Sequence, residues 1–221
     1  MTHEFKTPLT NIALAGKFII RDSNLMQHDK IKHYAEIILQ ENDKLRLQVE
    51  QVLSMSELER GDMLLMKTDL DFHQLIYEAV KGMNLQIENK NGNLKLNLKA
   101  DCFVVRGDKK HLINAICNLI DNAIKYSKGK PEIVIQTLNT GHNLVWKISD
   151  NGVGIDKEYL NRVFEKFFRV PTGDIHDVKG FGLGLSYVKK IVQLHQGNIE
   201  IQSESGIGTT FKITIPFENG K

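Results

Sequence analysis

The stretch NAICNLIDNAIK, residues 114–125, decides how the second half of this chain is interpreted. It belongs to a helix that the spacing of apolar residues predicts near 108–127. Steps of four, four and three residues place its three asparagines and its lysine on one helical face: Asn114, Asn118, Asn122 and Lys125. The opposite face is apolar and is predicted to pack on a sheet: Ile113, Ile116, Ile120, Ala123 and Ile124.

Two interpretations of this polar face are open. A row of polar side chains beside an apolar face is usually the solvated side of an amphipathic helix. Asparagine is unfavourable in helix interiors, however, so three in line suggest a further reason. Amide oxygens suit Mg²⁺, which takes most of its neutralising charge from phosphates, and a lysine can meet a phosphate as a point charge. The alternative to a solvated face is therefore a site for Mg²⁺ and phosphate.

Three glycine clusters follow this helix: DNGVG at 150–154, GFGLG at 180–184 and GIGTT at 206–210. Each is a weak signal by itself, because glycine pairs mark turns in most folds. The first cluster follows a predicted strand at 144–148, and the second opens a predicted helix, where free N–H groups favour phosphate. Residues 169–180 form a polar loop between them that is long enough to be a lid. The Walker phosphate loop and the HRD and DFG signatures of protein kinases are absent.

The second half also shows the alternation of half-buried strands. The alternating apolar residues are Leu94, Leu96 and Leu98; Ile133 and Ile135; Ile199 and Ile201; and Phe211, Ile213 and Ile215. Helical stretches are predicted between them near 71–87, 108–127, 157–168 and 183–195. Strands interleaved with helices predict a sandwich of helices on a sheet.

The first 60 residues have helical periodicity throughout, with one break at 22–24. They predict two antiparallel helices, the second about 30 residues and roughly 45 Å long. Because two helices cannot enclose their own apolar faces, we expect a homodimer through residues 1–60 that forms a four-helix bundle. The predicted domains are 1–64 and 65–221, with no Pro/Gly/Ser-rich linker between them.

Composition excludes several classes of function. The chain has 29 Lys and Arg against 27 Asp and Glu, a formal net charge of +2, and these residues form no basic block. No nucleic-acid partner is therefore expected. Its two cysteines, Cys102 and Cys117, lack metal-ligand spacing and fit a reducing cytoplasm. No apolar run reaches the roughly 18 residues of a membrane span, so no membrane contact by this segment is expected.

In their order along the chain, the motifs of the second half resemble the ATP-binding domain of the histidine kinases. The resemblances are to the N box (118–127), the G1 box (150–154), the F box (164–169) and the G2 box (180–185). Residues 206–211 are similar to the last block of the wider GHKL group, which includes gyrase-type ATPases and MutL-type repair proteins. Any one motif would be weak, but together they are specific.

Residues 2–10, THEFKTPLT, resemble the H box of the same family. The resemblance implies an α+β chain: a helical hairpin forming a dimeric four-helix bundle, followed by an α/β sandwich of the GHKL (Bergerat) ATPase type. It implies that His3 is the phosphoacceptor and that Glu4 orients its imidazole and acts as a base. Pro8 has no N–H, so the carbonyl of Glu4 loses its helical partner and the helix is loosened beside His3.

Thr7 lies one helical turn after His3, and two interpretations of it are open. Glu4-Phe-Lys-Thr7 resembles family members that also dephosphorylate the response regulator, which implies that Thr7 holds a water. Alternatively, the Thr7 hydroxyl back-bonds to the carbonyl of His3, as threonine commonly does in helices.

The resemblance also implies the residues that bind ATP and Mg²⁺. Asn122 would be the main Mg²⁺ ligand with Asn118 assisting, and Asp150 would accept from the adenine amino group. The other positions implied to contact the nucleotide are Lys125, Tyr126, Gly152, Gly154, Phe168, Arg169, Gly180, Gly182, Gly184, Leu185 and Thr209. Taken without the resemblance, Asp150 is equally well explained as a turn residue that caps Gly152.

The implied function is that of a two-component sensor histidine kinase core. It would phosphorylate His3 from Mg-ATP and pass the phosphoryl group to an aspartate of a response regulator receiver domain, as the cytoplasmic domain of a membrane-anchored sensor. Two alternatives are a GHKL-type ATPase that drives conformational change and a nucleotide-binding dimerisation scaffold without phosphotransfer. Whether phosphorylation occurs within or between subunits is left open by the sequence.

Overall fold

The computed structural model describes residues 2–22, 31–39, 41–42, 45, 49, 64–171 and 182–217. The chain divides into two compact units: Met1–Met63 with Lys179–Leu183, and Leu64–Val178 with Gly184–Lys221. Residues 51–63 lie outside the described part, and the predicted domain boundary at 64/65 stays a prediction. No helix of the described residues is both long enough and apolar enough to cross a membrane.

The first unit is a helical hairpin. Helix α1 spans Thr2–Asp22, with Pro8 inside it, and ends at the predicted break. The described residues of the second helix, α2, are helical at 31–39, 41–42, 45 and 49. Phe18 near the end of α1 stacks on Tyr34 near the start of α2, with ring centroids 5.4 Å apart. This contact fits two antiparallel helices, and the predicted helical first half is confirmed.

The second unit is built on a five-stranded sheet with the strand order β2-β4-β5-β7-β6. Its strands are β2 (Asn93–Leu98), β4 (Glu132–Thr140), β5 (Asn143–Asp150), β6 (Asn198–Glu204) and β7 (Gly208–Pro216). The β2–β4 pair is parallel and the other pairs are antiparallel. A separate antiparallel pair joins β1 (Thr68–Asp71) to β3 (Val104–Gly107).

Three helices pack on the sheet: α3 (Phe72–Asn89), α4 (Lys109–Lys125) and α5 (Gly184–Leu194). Helix α4 lies between α3 and α5 and contacts β5. Leu144, Trp146 and Ile148 alternate along β5 and are almost completely buried, so they form the centre of the core. Trp146 packs against Phe72 at the start of α3, with ring centroids 5.6 Å apart. The predicted sandwich of helices on a sheet is confirmed.

The structure corrects two sequence predictions. Residues 157–168 do not form a helix: a 3₁₀ turn at Lys157–Tyr159 is followed by further turns, and Phe167 takes a positive φ of 62°. The N–H groups of Arg162 and Glu165 each bond a carbonyl three residues back, which is too tight a repeat for an α-helix. In α4, Ile113 is half-buried instead of fully packed, and the buried face includes Leu112, Ala115 and Leu119.

A buried histidine joins the end of α5 to the start of α4. His195 is 3% exposed; its Nε2 accepts from the N–H of Asp108 at 3.0 Å, and its Nδ1 donates to the Ile191 carbonyl at 2.8 Å. These two partners require a neutral imidazole protonated on Nδ1. Asp108 also caps α4 through the N–H of His111 and accepts from the N–H of Met66 at 2.9 Å. The segment before β1, the start of α4 and the end of α5 therefore meet at one polar cluster.

Stability of the second unit should depend on pH through His195. Burial holds the pKa of His195 below its ordinary value of 6.5, so the unfolded chain binds a proton that the folded chain does not. We expect the free energy of unfolding to be greatest above about pH 6.5 and to fall as the pH drops below it. In His195→Gln, which keeps an acceptor for Asp108, the fall should be shallower. Urea unfolding followed through Trp146, the one tryptophan of the chain, measures this.

The matched control is His142→Gln, at an exposed histidine in the β4–β5 turn. It should keep the pH dependence of the parent. Burial also lowers the pKa of His73, which leaves a residual dependence of the same sign in the His195 variant. Equal slopes in His195→Gln and the parent would contradict this account of the buried imidazole.

Candidate functional site

The end of β5 carries a compact polar cluster. Asp150, the last residue of β5, lies opposite Thr209 of β7, and Thr209 lies opposite Ser203 of β6. The Asp150 Oδ1 accepts from the N–H of Gly152 at 2.8 Å and from the N–H of Thr209 at 3.2 Å. The hydroxyls of Ser203 and Thr209 are 2.8 Å apart. We call Asp150, Gly152, Ser203 and Thr209 the Asp150 cluster.

The two oxygens of Asp150 have different surroundings. Both hydrogen bonds end on Oδ1, and no other donor of the described residues reaches the carboxylate. Burial raises the pKa of Asp150, and the N–H groups of Gly152 and Thr209 oppose that rise by stabilising the charged form. Oδ1 thus caps the turn, as one of the two sequence interpretations predicted. Oδ2 accepts no hydrogen bond from the described residues.

Main-chain packing accounts for two of the glycines beside this cluster. Gly154 has a positive φ of 70°, and a Cβ there would overlap the carbonyl oxygen of Glu204. A Cβ at Gly208 would overlap the carbonyl oxygen of Asp150. These glycines let the segment after β5 cross the β6–β7 turn in close contact, which no other residue allows. Their first role is therefore to hold Asp150 in place.

The end of α4 is tied to the same turn. The N–H of Tyr126 bonds the carbonyl of Asn122 at 3.0 Å, and the Tyr126 carbonyl accepts from the N–H of Val153 at 2.9 Å. Ser127 forms an isolated β-bridge with Gly152. The end of α4 is in this way held beside the Asp150 cluster.

Each polar residue of α4 has a defined environment. The Asn118 Nδ2 donates to the carbonyl of Asn114 at 2.8 Å, so its Oδ1 must point the other way. Asn122 is half-buried. Lys125 Nζ lies 2.5 Å from a carboxylate oxygen of Asp121, a pairing that sequence reasoning did not anticipate. Within the described residues, no group of three or more His, Cys, Asp or Glu could hold a metal ion, so a cation here would depend on the asparagine oxygens.

In the aromatic segment after the 3₁₀ turn, Phe168 packs on residues of the same segment, whereas Phe164 packs on Phe211 of β7. Phe168 lies 6.0 Å from Tyr159 by ring centroids, and the guanidinium of Arg162 lies 4.2 Å above the Phe168 ring. Phe167 is 45% exposed, although its spacing suggested packing. Arg169 is exposed. The ring contacts of Phe168 with described residues therefore lie within this segment and do not reach the Asp150 cluster.

Several predicted site residues fall partly or wholly outside the description. Residues 172–181, which include Gly180 and most of the predicted lid, are not among the described residues. Gly182 has a positive φ of 68°, Gly184 begins α5, and Leu185 is half-buried in its first turn. The predicted catalytic residues His3, Glu4 and Thr7 lie on α1, and their side chains are outside the description.

Sequence reasoning missed Ser203. Its Oγ accepts from the N–H of Ile155 at 2.9 Å and donates to the carbonyl of Gly208 at 2.9 Å, which links the DNGVG turn to the GIGTT turn. Ser203 continues the alternation of Ile199 and Ile201 along β6, so that periodicity could have placed it on the face of the sheet that carries Thr209.

Comparisons with known proteins identify both halves of the chain. The family model described as "His Kinase A (phospho-acceptor) domain" matches residues 1–61. The model described as "Histidine kinase-, DNA gyrase B-, and HSP90-like ATPase" matches residues 107–219. Sensor protein RprX of Bacteroides fragilis is 44% identical over 98% of this chain and 42% of its own length. Sensor-like histidine kinase SenX3 of Mycobacterium tuberculosis is 30% identical over 98% of this chain and 52% of its own. The chain therefore spans about half the length of these relatives or less.

Solved structures show the same fold. Acinetobacter baumannii histidine kinase AdeS matches with a TM-score of 0.75 at 24% identity, over 98% of each chain. Histidine kinase ThkA, solved in complex with response regulator protein TrrA, matches with a TM-score of 0.72 at 25% identity, over 98% of this chain and 60% of that one. The chain therefore belongs to the histidine kinases and contains the two regions of their catalytic core, a phosphoacceptor region followed by an ATPase domain.

Proposed function

We propose that the chain phosphorylates its own His3 from Mg-ATP and transfers the phosphoryl group to an aspartate of a response regulator receiver domain. One observation carries this proposal. The hydrogen bond from the N–H of Val153 to the Tyr126 carbonyl, 2.9 Å long, ties the end of α4 to the turn that follows Asp150. This bond supports a single nucleotide site, in which the Asp150 cluster would bind the base and the asparagine face the phosphates, in a chain whose first region matches a phosphoacceptor model.

The Asp150 cluster would hold the adenine. The exocyclic amino group of adenine is a donor, and Oδ2 of Asp150 is an acceptor that no described donor occupies. Thr209 lies beside it in the sheet, with its hydroxyl held by Ser203. Because Oδ1 is held by two backbone N–H groups, the carboxylate cannot turn away, and its second oxygen is fixed in direction before a ligand arrives.

The asparagine face of α4 would hold the phosphates and Mg²⁺. Asn122 is the proposed main ligand, and Asn118 assists with its Oδ1, which its bond to Asn114 leaves on the side of the first turn of α5. Neutral amide oxygens fit Mg²⁺, because the phosphates supply most of the negative charge around the ion. When bound, Mg²⁺ would neutralise charge on the triphosphate. Lys125 would contact a phosphate. Its ammonium group would then either leave the carboxylate of Asp121 or bind the carboxylate and the phosphate together.

His3 would be the nucleophile of the phosphoryl transfer. In the proposed step, one imidazole nitrogen forms a bond to the γ-phosphorus while the bond from that phosphorus to the ADP oxygen breaks. Glu4 takes the proton from the other nitrogen, which keeps the attacking nitrogen electron-rich. The phosphoryl group then passes from His3 to a carboxylate oxygen of the partner's aspartate. The complex of ThkA with TrrA supports a response regulator as the partner.

A homodimer through residues 1–60 is part of the proposal. The described residues of the hairpin expose large apolar side chains between 40% and 65%: Leu9, Leu14, Phe18, Leu39 and Val49. A single hairpin cannot cover them, whereas a second copy would do so in a four-helix bundle. These exposed side chains support the dimer.

The proposal is tested by the chemistry of the product. With γ-labelled ATP and Mg²⁺ the chain should become labelled through a phosphohistidine, which is lost in acid and kept in alkali, and His3→Gln should abolish the label. Asn122→Ala should reduce labelling by about a hundredfold or more, because no neighbouring side chain can replace the ligand. The matched control is Asn84→Ala, at an exposed asparagine of α3, which should label as the parent does. An acid-stable product, or normal labelling of Asn122→Ala, would refute the proposed chemistry.

Thr7 is proposed to position the water that removes phosphate from the response regulator. If it does, Thr7→Ala should keep the labelling of His3 and lose most of the dephosphorylation of the regulator. If Thr7 only back-bonds within α1, both activities should change together or neither should change. Release of phosphate from a purified phosphorylated regulator, at equal concentrations of parent and variant, distinguishes the two. Clearance at the parent rate would refute a role for Thr7.

A further inference from the structure

Helices α4 and α5 meet through polar side chains on the face of α4 that also carries Asn118. The hydroxyl of Tyr187 on α5 lies 2.8 Å from Nδ1 of His111 on α4. The hydroxyl can donate to this nitrogen or accept from it, according to the tautomer of the imidazole. Tyr187 is half-buried, and this bond connects two helices that are far apart in sequence.

The first turn of α5 lies against Asn118. A Cβ added at Gly184 would lie 2.8 Å from Asn118 Oδ1. Gly184 is not among the glycines with positive φ, so its backbone does not require glycine. The requirement is one of space, because the oxygen of Asn118 occupies the position that a side chain would take. Asn118 cannot rotate to relieve the contact without losing its bond to the Asn114 carbonyl.

These contacts fix the position of α5 along α4. His111, Asn114 and Asn118 follow one another at steps of three and four residues and share a face of α4. Gly184 and Tyr187 are three residues apart and share a face of α5. The Tyr187 hydroxyl fixes α5 on α4, and one turn earlier Gly184 meets the oxygen of Asn118. A shift of α5 along α4 would break the hydrogen bond between Tyr187 and His111 and would move Gly184 away from the oxygen of Asn118.

We propose that Tyr187 is a positioning residue of the nucleotide site, which holds the first turn of α5 on α4 and thereby fixes the orientation of Asn118. The inference rests on the proposed role of Asn118 beside Mg²⁺ and phosphate. Tyr187 itself does not touch the ligand. Without its hydroxyl, Asn118 gains freedom, and the site has to order that side chain each time a nucleotide binds.

The variant that tests this is Tyr187→Phe, with Tyr77→Phe as the matched control at an exposed tyrosine of α3. For a non-hydrolysable ATP analogue with Mg²⁺, calorimetry should show a dissociation constant about five- to tenfold higher in Tyr187→Phe and unchanged in Tyr77→Phe. Transfer of phosphoryl from chain already labelled on His3 should proceed at the parent rate, because that step does not use the nucleotide site.

The outcomes separate this inference from the proposed function. If the parent does not bind the analogue, the proposed function fails. If the parent binds and Tyr187→Phe binds equally well, the positioning role is overturned, whatever happens to thermal stability. A merely structural tyrosine would lower the melting temperature and leave the dissociation constant as it is.

A second pair of variants tests the geometry without nucleotide. Gly184→Ala should lower the melting temperature of the second unit, followed through Trp146, because the new methyl group overlaps Asn118 Oδ1. Adding Asn118→Ala should recover most of that loss, since the overlapping atom is gone. A double variant no more stable than Gly184→Ala would overturn the proposed contact between α5 and Asn118.

Discussion

The main chain after β5 crosses the β6–β7 turn with no space for a side chain, and the rest of the site depends on that crossing. Gly154 lies against the carbonyl of Glu204, and Gly208 against the carbonyl of Asp150. The crossing fixes the position at which β5 ends, and there the carboxylate of Asp150 receives N–H groups from both sides of the contact. A short, rigid main-chain junction thus does what a flexible loop could not: it holds an acidic side chain, half-buried, in one orientation.

Helix α4 connects this junction to the other end of the site. Its apolar face packs in the core, its last residues bond the turn at Val153, and its polar face carries the asparagines. Asn118 uses its amide nitrogen on its own helix, and its oxygen lies against the first turn of α5 at Gly184. A comparable arrangement occurs at Asp150, where Oδ1 bonds the turn and Oδ2 has no donor among the described residues. In both side chains, hydrogen bonds within the fold set the orientation of the second polar atom, which the proposed function assigns to the ligand.

Much of this could be predicted because its signals are local. The alternation of Ile133 and Ile135 and the steps between Asn114, Asn118 and Asn122 follow from the periods of strand and helix. The helix at 157–168 was wrongly predicted because Phe164, Phe167 and Phe168 have helical spacing, although Phe164 packs on Phe211 and Phe168 on Tyr159. The contact of Tyr187 with His111 joins residues 76 apart, and no local pattern could reveal it. The crossing at Gly154 is likewise non-local, and from the sequence this glycine was named only as a residue implied to contact the nucleotide.

The central claim is that the free oxygen of Asp150 binds the adenine amino group while the other oxygen holds the turn. Calorimetry comparing ATP with purine riboside triphosphate, which lacks only that amino group, tests it most directly. The account predicts that ATP binds about tenfold more tightly or better to the parent chain, because the analogue leaves a carboxylate oxygen without its donor. It also predicts that this preference disappears in Asp150→Asn. Equal affinity of the parent for the two nucleotides would contradict it.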